Sequence, residues 1–309
     1  MQVYNNLQSI HLQNSVVTIG GFDGIHLGHQ KIIYRLTDAA QNLNSSSVLI
    51  TFWPTPRMFF NREGDSFLIM STITEKINLL EIYGVEHLII LPFNQELASV
   101  KAIDFIRKTL VDTLHIRHLI MGYNHNFGYK GEGNFALVEK LAPQFNFSVE
   151  RVEPFLLEGQ KISSSKIREL IESDELELAN QYLGHPYTVT GAVVEGNKIG
   201  RTIGFPTANI FLDNQHKLIP VDGVYAVYVI FNNQRFKGML NIGHRPTIKA
   251  NAGNKTVEVN IFDFNKDIYN QEISIEFIQK TRSEIKFDSL ETLKNQIAKD
   301  KNEIEAILS

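Results

Sequence analysis

Two histidines three residues apart, His26 and His29, sit in the stretch GGFDGIHLGHQ at residues 20–30. On a first helical turn that spacing places both imidazoles on one face. There they can hydrogen-bond phosphate oxygens and stabilise charge developing on a transferring phosphoryl group. Gly20 and Gly21 permit a tight turn, and Gly24 and Gly28 keep side chains away where a ligand could approach the backbone. A helix N-terminus adds amide donors and positive potential. Taken alone, the pair is equally a strand–turn–helix with two surface histidines. A second stretch, KISSSKIREL (161–170), opens another helix. Ser163, Ser164 and Ser165 can cap it, and Lys166 and Arg168 carry charge suited to phosphate. A plain N-cap reads the same way. A third, MGYNHNFGYKGEGN (121–134), has Asn, aromatic and Gly residues where a ligand loop or an ordinary loop would lie.

In the second half, GAVVEGNKIGRTIGFPTANI (191–210) is glycine-rich with Lys198 and Arg201, yet lacks the G-K-[ST] ending of a Walker A loop. Its glycines leave a flap free to close on phosphates. Thr207 and Asn209 are two apart, so on a strand they share a side and offer neutral oxygens to a hard cation such as Mg²⁺. Glu258 alternates with Val257 and Val259 and shares a face with Asn260 and Phe262. A carboxylate inside a small barrel is costly unless it has work or a partner, and as a general base it could take a proton from a primary hydroxyl. The alternative is a solvent-facing glutamate on an ordinary hairpin.

These residues need elements to hold them. SVVTIG (15–20), SVLITF (47–52), EHLIILPF (86–93) and IRHLIMG (116–122) read as buried strands. Between them HQKIIYRLTDAAQNL (29–43), TEKINLLEIYG (74–84) and SVKAIDFIRKTLVDTL (99–114) have helical periodicity. Such alternation implies a parallel sheet covered on both faces, with ligands at the carboxyl ends of the strands. SDELELANQYLGHPY (173–187) is a helix and hinge. Beyond residue 186 come strand-like runs without helices, which suggest an antiparallel barrel, and then an amphipathic helix from about Ser289 to Leu308.

With 309 residues and 43% hydrophobic composition, the chain is long enough for two ordinary domains. A net charge of −4 and a pI near 6.2 argue against nucleic-acid binding. The absence of cysteine excludes disulfides and thiolate metal sites. The N-terminal stretch has neither a basic start nor an apolar core, and no apolar run is long enough to span a bilayer. The expectation is a cytoplasmic protein without membrane or nucleic-acid partners; oligomeric state stays open.

GGFDGIHLGHQ, GYNHNFG and KISSSKIREL, in this order, resemble the nucleotidyltransferase half of prokaryotic bifunctional riboflavin kinase/FMN adenylyltransferases, also called FAD synthetases. ITFWPTPRMFF (50–60) and GVEHLIILPFNQELASVKAIDFI (84–106) are similar to their counterparts there. KIGRTIGFPTANI, PVDGVYAVYV, LNIGHRPT, VEVNIFDF and TRSEIKF resemble the flavokinase domain. The resemblance implies a Rossmann-like parallel α/β nucleotidyltransferase domain at 1–184, and a six-stranded Greek-key barrel with a C-terminal helix, the riboflavin kinase domain, at 185–309. It implies that His26 and His29 bind ATP phosphates, with Gly20, Phe22, Asp23, Gly28, Ser164, Ser165 and Arg168 around them. Pro56, Arg57 and Asn124 would serve the flavin. In the second domain Thr207 and Asn209 would hold Mg-ATP, Lys198 and Gly200 would meet its phosphates, Glu258 would be the base, and Arg282 would lie near the flavin. ATP, riboflavin and FMN are the implied substrates, with flavins as both substrate and product. Gly21, Thr55, His125 and Asn260 depart from the family pattern; Gly21 and His125 leave open a single-activity member, and a flavin-sensing regulator is a further alternative that Glu258, Thr207, Asn209, His26 and His29 argue against.

Overall fold

The computed structural model describes residues 1–60, 67–196, 199–202, 204–244 and 255–309. It divides into two compact units, Met1–Ser164 and Ser165–Ser309.

The first unit is built on a six-stranded sheet in which every pairing is parallel. Its strands are β1 (Gln2–Tyr4), β2 (Ser15–Ile19), β3 (Ser46–Trp53), β4 (His87–Pro92), β5 (Ile116–Gly122) and β6 (Ser148–Val152), in the order β1-β4-β3-β2-β5-β6. The four inner strands match the four apolar runs of the sequence. The two edge strands do not announce themselves, because an edge strand is short or keeps polar residues: β1 is three residues long and β6 is SVERV. Helices α1 (Leu27–Asn42), α2 (Pro56–Phe60), α3 (Ile73–Ile82), α4 (Gln95–Ala98), α5 (Ala102–Phe105) and α6 (Phe135–Leu141) fill the connections, and α5 runs on as π-type turns through Thr113. Alternate strand residues feed opposite cores. Val16, Leu49, Leu88 and Ile90 pack with Ile33 and Leu36 of α1 and Leu80 of α3. Val17, Ile50, Ile89 and Leu119 pack with Phe105 and Leu110 on the other face. Successive strands run outward from β2 in one direction, then β5 pairs on its other side, so the loops after β2 and β5 flank a switch point where α/β sheets receive ligands.

The second unit opens with α7 (Ser164–Glu172) and α8 (Leu176–Leu183); Gly184 ends α8 in the left-handed conformation, φ 74°. A closed antiparallel barrel follows, from strands β9 (Tyr187–Val194), β10 (Ala208–Phe211), β11 (Gly223–Phe231), β12 (Gln234–His244), β13 (Lys255–Ile261) and β14 (Glu272–Arg282), with the short α9 (Ile199–Thr202) after β9. The buried set Tyr225, Val227, Leu240, Ile242, Val257, Val259, Ile275 and Phe277 shares one face by alternation and register, and fills the barrel. The opposite face carries Val224, Ala226 and Met239, which pack with Ile304 and Leu308 of the last helix, α10 (Leu290–Ile307). Ser289 and Thr292 form a capping box at its start.

Arg282 binds α10 to the barrel. Its Nε and Nη2 reach both carboxylate oxygens of Asp300, at 2.7–3.1 Å, and Asp300 is buried. Removing one partner of such a pair strands the other charge. Asp300→Ala is expected to cost the second unit about 3 kcal/mol in urea unfolding, since breaking a buried pair costs roughly 3–5 kcal/mol and Arg282 is partly solvated.

Candidate active sites

β2 ends at Ile19 and the chain turns sharply. Phe22, Gly24 and Ile25 all have positive φ, at 45°, 79° and 40°. Only glycine adopts that region at no cost, so the turn is held by ties rather than by preference. The Asp23 carboxylate accepts hydrogen bonds from the backbone N–H groups of Met70 and Ser71, at 2.9–3.1 Å. Gly24 N–H donates to the Ser71 hydroxyl at 2.9 Å, and Gln30 Nε2 donates to Ile25 O at 2.9 Å. Gly20 is required by close approach: a Cβ there would stand 2.8 Å from the Phe22 ring. Gly21 has open space around it, so a side chain would fit there.

His26 is the N-cap of α1, and its Nδ1 accepts the His29 N–H at 3.3 Å. An accepting Nδ1 leaves the proton of the neutral ring on Nε2. The two imidazoles stack with centroids 3.7 Å apart and planes 17° apart, and Phe22 packs on His29 at 5.0 Å. A Cβ on Gly28 would lie 3.1 Å from the His26 ring, so this glycine fixes the ring's place. Ser164 donates through its hydroxyl to Asp23 O at 3.2 Å. Ser165 and Arg168 lie on α7.

Beyond β3 a cavity of about 440 Å³ opens, within the range of small-molecule sites. Phe52, Phe60, Phe93, Phe105 and Tyr129 contribute to its wall. Phe59, Phe60 and Phe93 meet edge to face with centroids 5.2–5.7 Å apart. Of the three residues expected on the flavin side, Pro56 lines this cavity. Arg57 lies over the Phe67 ring at 4.6 Å, and Asn124 is exposed; Asn126 is the asparagine in the wall. Thr55 explains its own departure from the pattern: its hydroxyl and carbonyl accept the Met58 and Phe59 N–H groups and so start α2. His125 is held as a neutral aromatic ring. Burial lowers its pKa to about 4, which keeps it neutral, and its ring stacks on Phe127.

One functional candidate escaped the sequence reading. Lys76 on α3 is fully buried, and its Nζ donates to Gly21 O at 2.6 Å and to Thr51 Oγ1 at 3.3 Å. Desolvation lowers its pKa to about 8, opposed by the nearby Asp23 carboxylate.

In the second unit Asn209, Glu258 and Asn241 stand side by side on β10, β13 and β12. This row lies on the outer face of the barrel, beside α10, which decides between the two placements the alternation left open: Val257 and Val259 occupy the interior. A cavity of about 340 Å³ there is lined by Thr207, Glu258, Asn260, Arg282, Leu293 and Asp300, among others, and also by Gly200. Asn260 ties its Nδ2 to Pro206 O at 2.6 Å, which steadies the GFPTAN segment. Asn209 is buried against Gly196, where any Cβ would collide with its amide. Lys198 lies outside the described residues. Thr207 also borders a smaller cleft with Pro206, Phe264, Ile268 and Tyr269.

These features define a Rossmann-like parallel α/β unit followed by a closed antiparallel barrel with a cavity of its own. A family model described as FAD synthetase matches residues 8–166, and one described as riboflavin kinase matches 183–308. The bifunctional riboflavin kinase/FMN adenylyltransferase of Haemophilus influenzae is 42% identical over 303 residues, 97% of each chain. That of Bacillus subtilis is 37% identical over 94% of this chain and 91% of its own. A crystal structure from Streptococcus pneumoniae, named a macrolide-efflux protein, superposes with a TM-score of 0.85 at 33% identity over 97% of each chain. Among the described residues no helix is long and apolar enough to cross a membrane. The chain belongs to the bifunctional riboflavin kinase/FMN adenylyltransferase family.

The depressed pKa of Lys76 has a sign that can be measured. Between about pH 8 and the unfolded value of 10.5 the unfolded chain still holds a proton that the folded chain has released, so stability rises with pH there. Relative to Lys76→Met, the wild type is expected to gain up to about 3 kcal/mol across that window, at about 1.4 kcal/mol per pKa unit. Thermal unfolding of both proteins at stepped pH reads the difference.

Proposed function

We propose that the second unit transfers the γ-phosphoryl group of ATP to the 5′-hydroxyl of riboflavin, and that the first unit transfers the AMP group of a second ATP to the resulting FMN. The observation that carries this reading is that each unit matches its own half of the family and each has a cavity of ligand size.

In the barrel, Glu258 takes the proton of the riboflavin hydroxyl as its oxygen attacks the γ-phosphorus, and ADP leaves. Asn209 and Asn241, directly opposite Glu258 on the neighbouring strands, orient this end of the cavity. Thr207 borders both the larger cavity and the smaller cleft, which suits flavin on one side and nucleotide on the other. Thr207 and Asn209 fit magnesium: they offer neutral oxygens, Asn209 in a cradle that only glycine at 196 allows. An Mg²⁺ ion held there with ATP would neutralise phosphate charge. Arg282, already engaged by Asp300, borders the flavin side as a fixed positive charge.

In the α/β unit, an FMN phosphate oxygen attacks the α-phosphorus of ATP and pyrophosphate leaves. The His26 Nε2–H and the His29 ring donate to the phosphate oxygens as charge builds on them. Stacked 3.7 Å apart, the two rings would repel if both were protonated, so at least one acts as a neutral donor. Gly20, Phe22, Asp23 and Gly28 shape the turn, and Ser164, Ser165 and Arg168 add donors to the phosphate chain. Phe52, Phe60 and Phe93 offer aromatic faces and edges to the planar isoalloxazine, Pro56 its rim, and Arg57 and Asn124 the approach to it.

Incubation with riboflavin, ATP and Mg²⁺ followed by chromatography is expected to yield both FMN and FAD; FMN without FAD would defeat the two-step reading. Glu258→Ala is expected to lower FMN formation at least about a thousandfold while supplied FMN still becomes FAD, and His29→Ala to do the reverse. A substitution that leaves its own step at the wild-type rate removes that residue from its role.

A further inference from the structure

Lys76 is placed where no solvated lysine belongs. The side chain is 1% exposed, beneath the turn that follows β2. Its Nζ makes a short bond to Gly21 O, 2.6 Å, and a longer one to Thr51 Oγ1, 3.3 Å; that hydroxyl in turn donates to Gly21 O at 3.4 Å. One carbonyl therefore receives a cation and a hydroxyl at once. The Gly21–Phe22 peptide is trans, and in a trans peptide the C=O and the following N–H point to opposite sides. With the carbonyl drawn down to Lys76, the Phe22 N–H is turned to the far side of the turn. Phe22 at φ 45° could not keep that orientation by preference.

A carbonyl can be satisfied far more cheaply than by a buried ammonium, since Thr51 already reaches it. Taking a lysine out of water is a standing cost to the fold. The cost has a return if the turn must receive a polyanion. A fixed cation under the loop then attracts the phosphates at reduced dielectric, and the peptide it orients presents a donor to them. Among the described residues Asp23 is a charged group that acts on Lys76, and its carboxylate is already held by Met70 and Ser71 N–H. Glu75, its neighbour on α3, is engaged in the capping box with Thr72.

We propose that Lys76 is a positioning residue for adenylyl transfer, holding the Gly21–Phe22 peptide so that the Phe22 N–H faces the phosphate chain of ATP. The inference rests on the reading of the histidine turn as the nucleotide site. Lys76 touches neither substrate nor reacting atoms; it acts through the backbone.

The test uses the full chain, whose riboflavin phosphorylation reports the integrity of the second unit in every sample. Lys76→Met is expected to lower kcat/KM for ATP in FMN adenylylation about a hundredfold, the effect of a misplacement on the order of 1 Å, with phosphorylation unchanged. In the wild type, adenylylation kcat/KM is expected to fall about fivefold relative to phosphorylation between about pH 7.5 and about pH 9.5, as charge-assisted hydrogen bonds become neutral ones. Lys76→Met, if active, lacks that decline. Should the variant fail to fold, the wild-type pH profile decides alone, and a flat ratio overturns the proposal. Wild-type adenylylation by Lys76→Met, alongside its loss in His29→Ala, overturns the proposal and spares the nucleotide site. Intact adenylylation in His29→Ala removes the nucleotide reading and this inference with it.

Discussion

A phosphate chain leaves water only for donors that are already in place, and a peptide loop left to itself does not keep donors in place. The turn after β2 is kept in place through Asp23. Its carboxylate gathers two backbone N–H groups from residues 70 and 71, and so joins the turn to the segment that leads into α3. With that joint made, three residues with positive φ become affordable, the His26 ring has one position against Gly28, and His29 stacks on it. The glycines and histidines of this stretch depend on an aspartate whose role is mechanical.

The barrel solves the same problem by different means. Its rigidity comes from closure, which leaves no strand edge to fray. The row Asn209–Glu258–Asn241 is set by strand register. What closure cannot supply is a wall on the outer face, and α10 provides it, secured by Arg282 and Asp300 and by Ile304 and Leu308. One unit thus bends backbone into an unusual shape and ties it down; the other keeps regular backbone and adds a cover.

Much of this was legible in the residues. The inner strands of the sheet are continuous apolar runs because both their faces are buried, and His26, His29, Thr207, Asn209 and Glu258 stand out by type and spacing. The rest failed to show for physical reasons. β1 and β6 are edge strands with one partner each, and so lack the doubly buried pattern. Glu258 stayed open between the barrel interior and its outer face because alternation gives two faces without saying which is inside; the helix that covers the outer face is remote in sequence. Lys76 drew no attention within its helical stretch. Its spacing was the available signal: it follows Ile73 by three and precedes Leu80 by four, on the stripe that faces the core. His125 and Thr55 looked like losses, and prove to be a neutral ring and a helix cap.

The covering helix also sets an order of completion during synthesis. The first unit ends at Ser164, so everything that shapes its histidine turn and aromatic cavity has left the ribosome with about half the chain still to come. The barrel closes only when β14 joins β9 and β11, and the cavity on its outer face lacks the wall of Leu293, Ile297 and Asp300 until α10 arrives, where the Leu308 carbonyl accepts the Tyr228 hydroxyl. A translation product cut short by a few turns would retain one workshop and lose the other, and the one retained is the second in the chemical sequence.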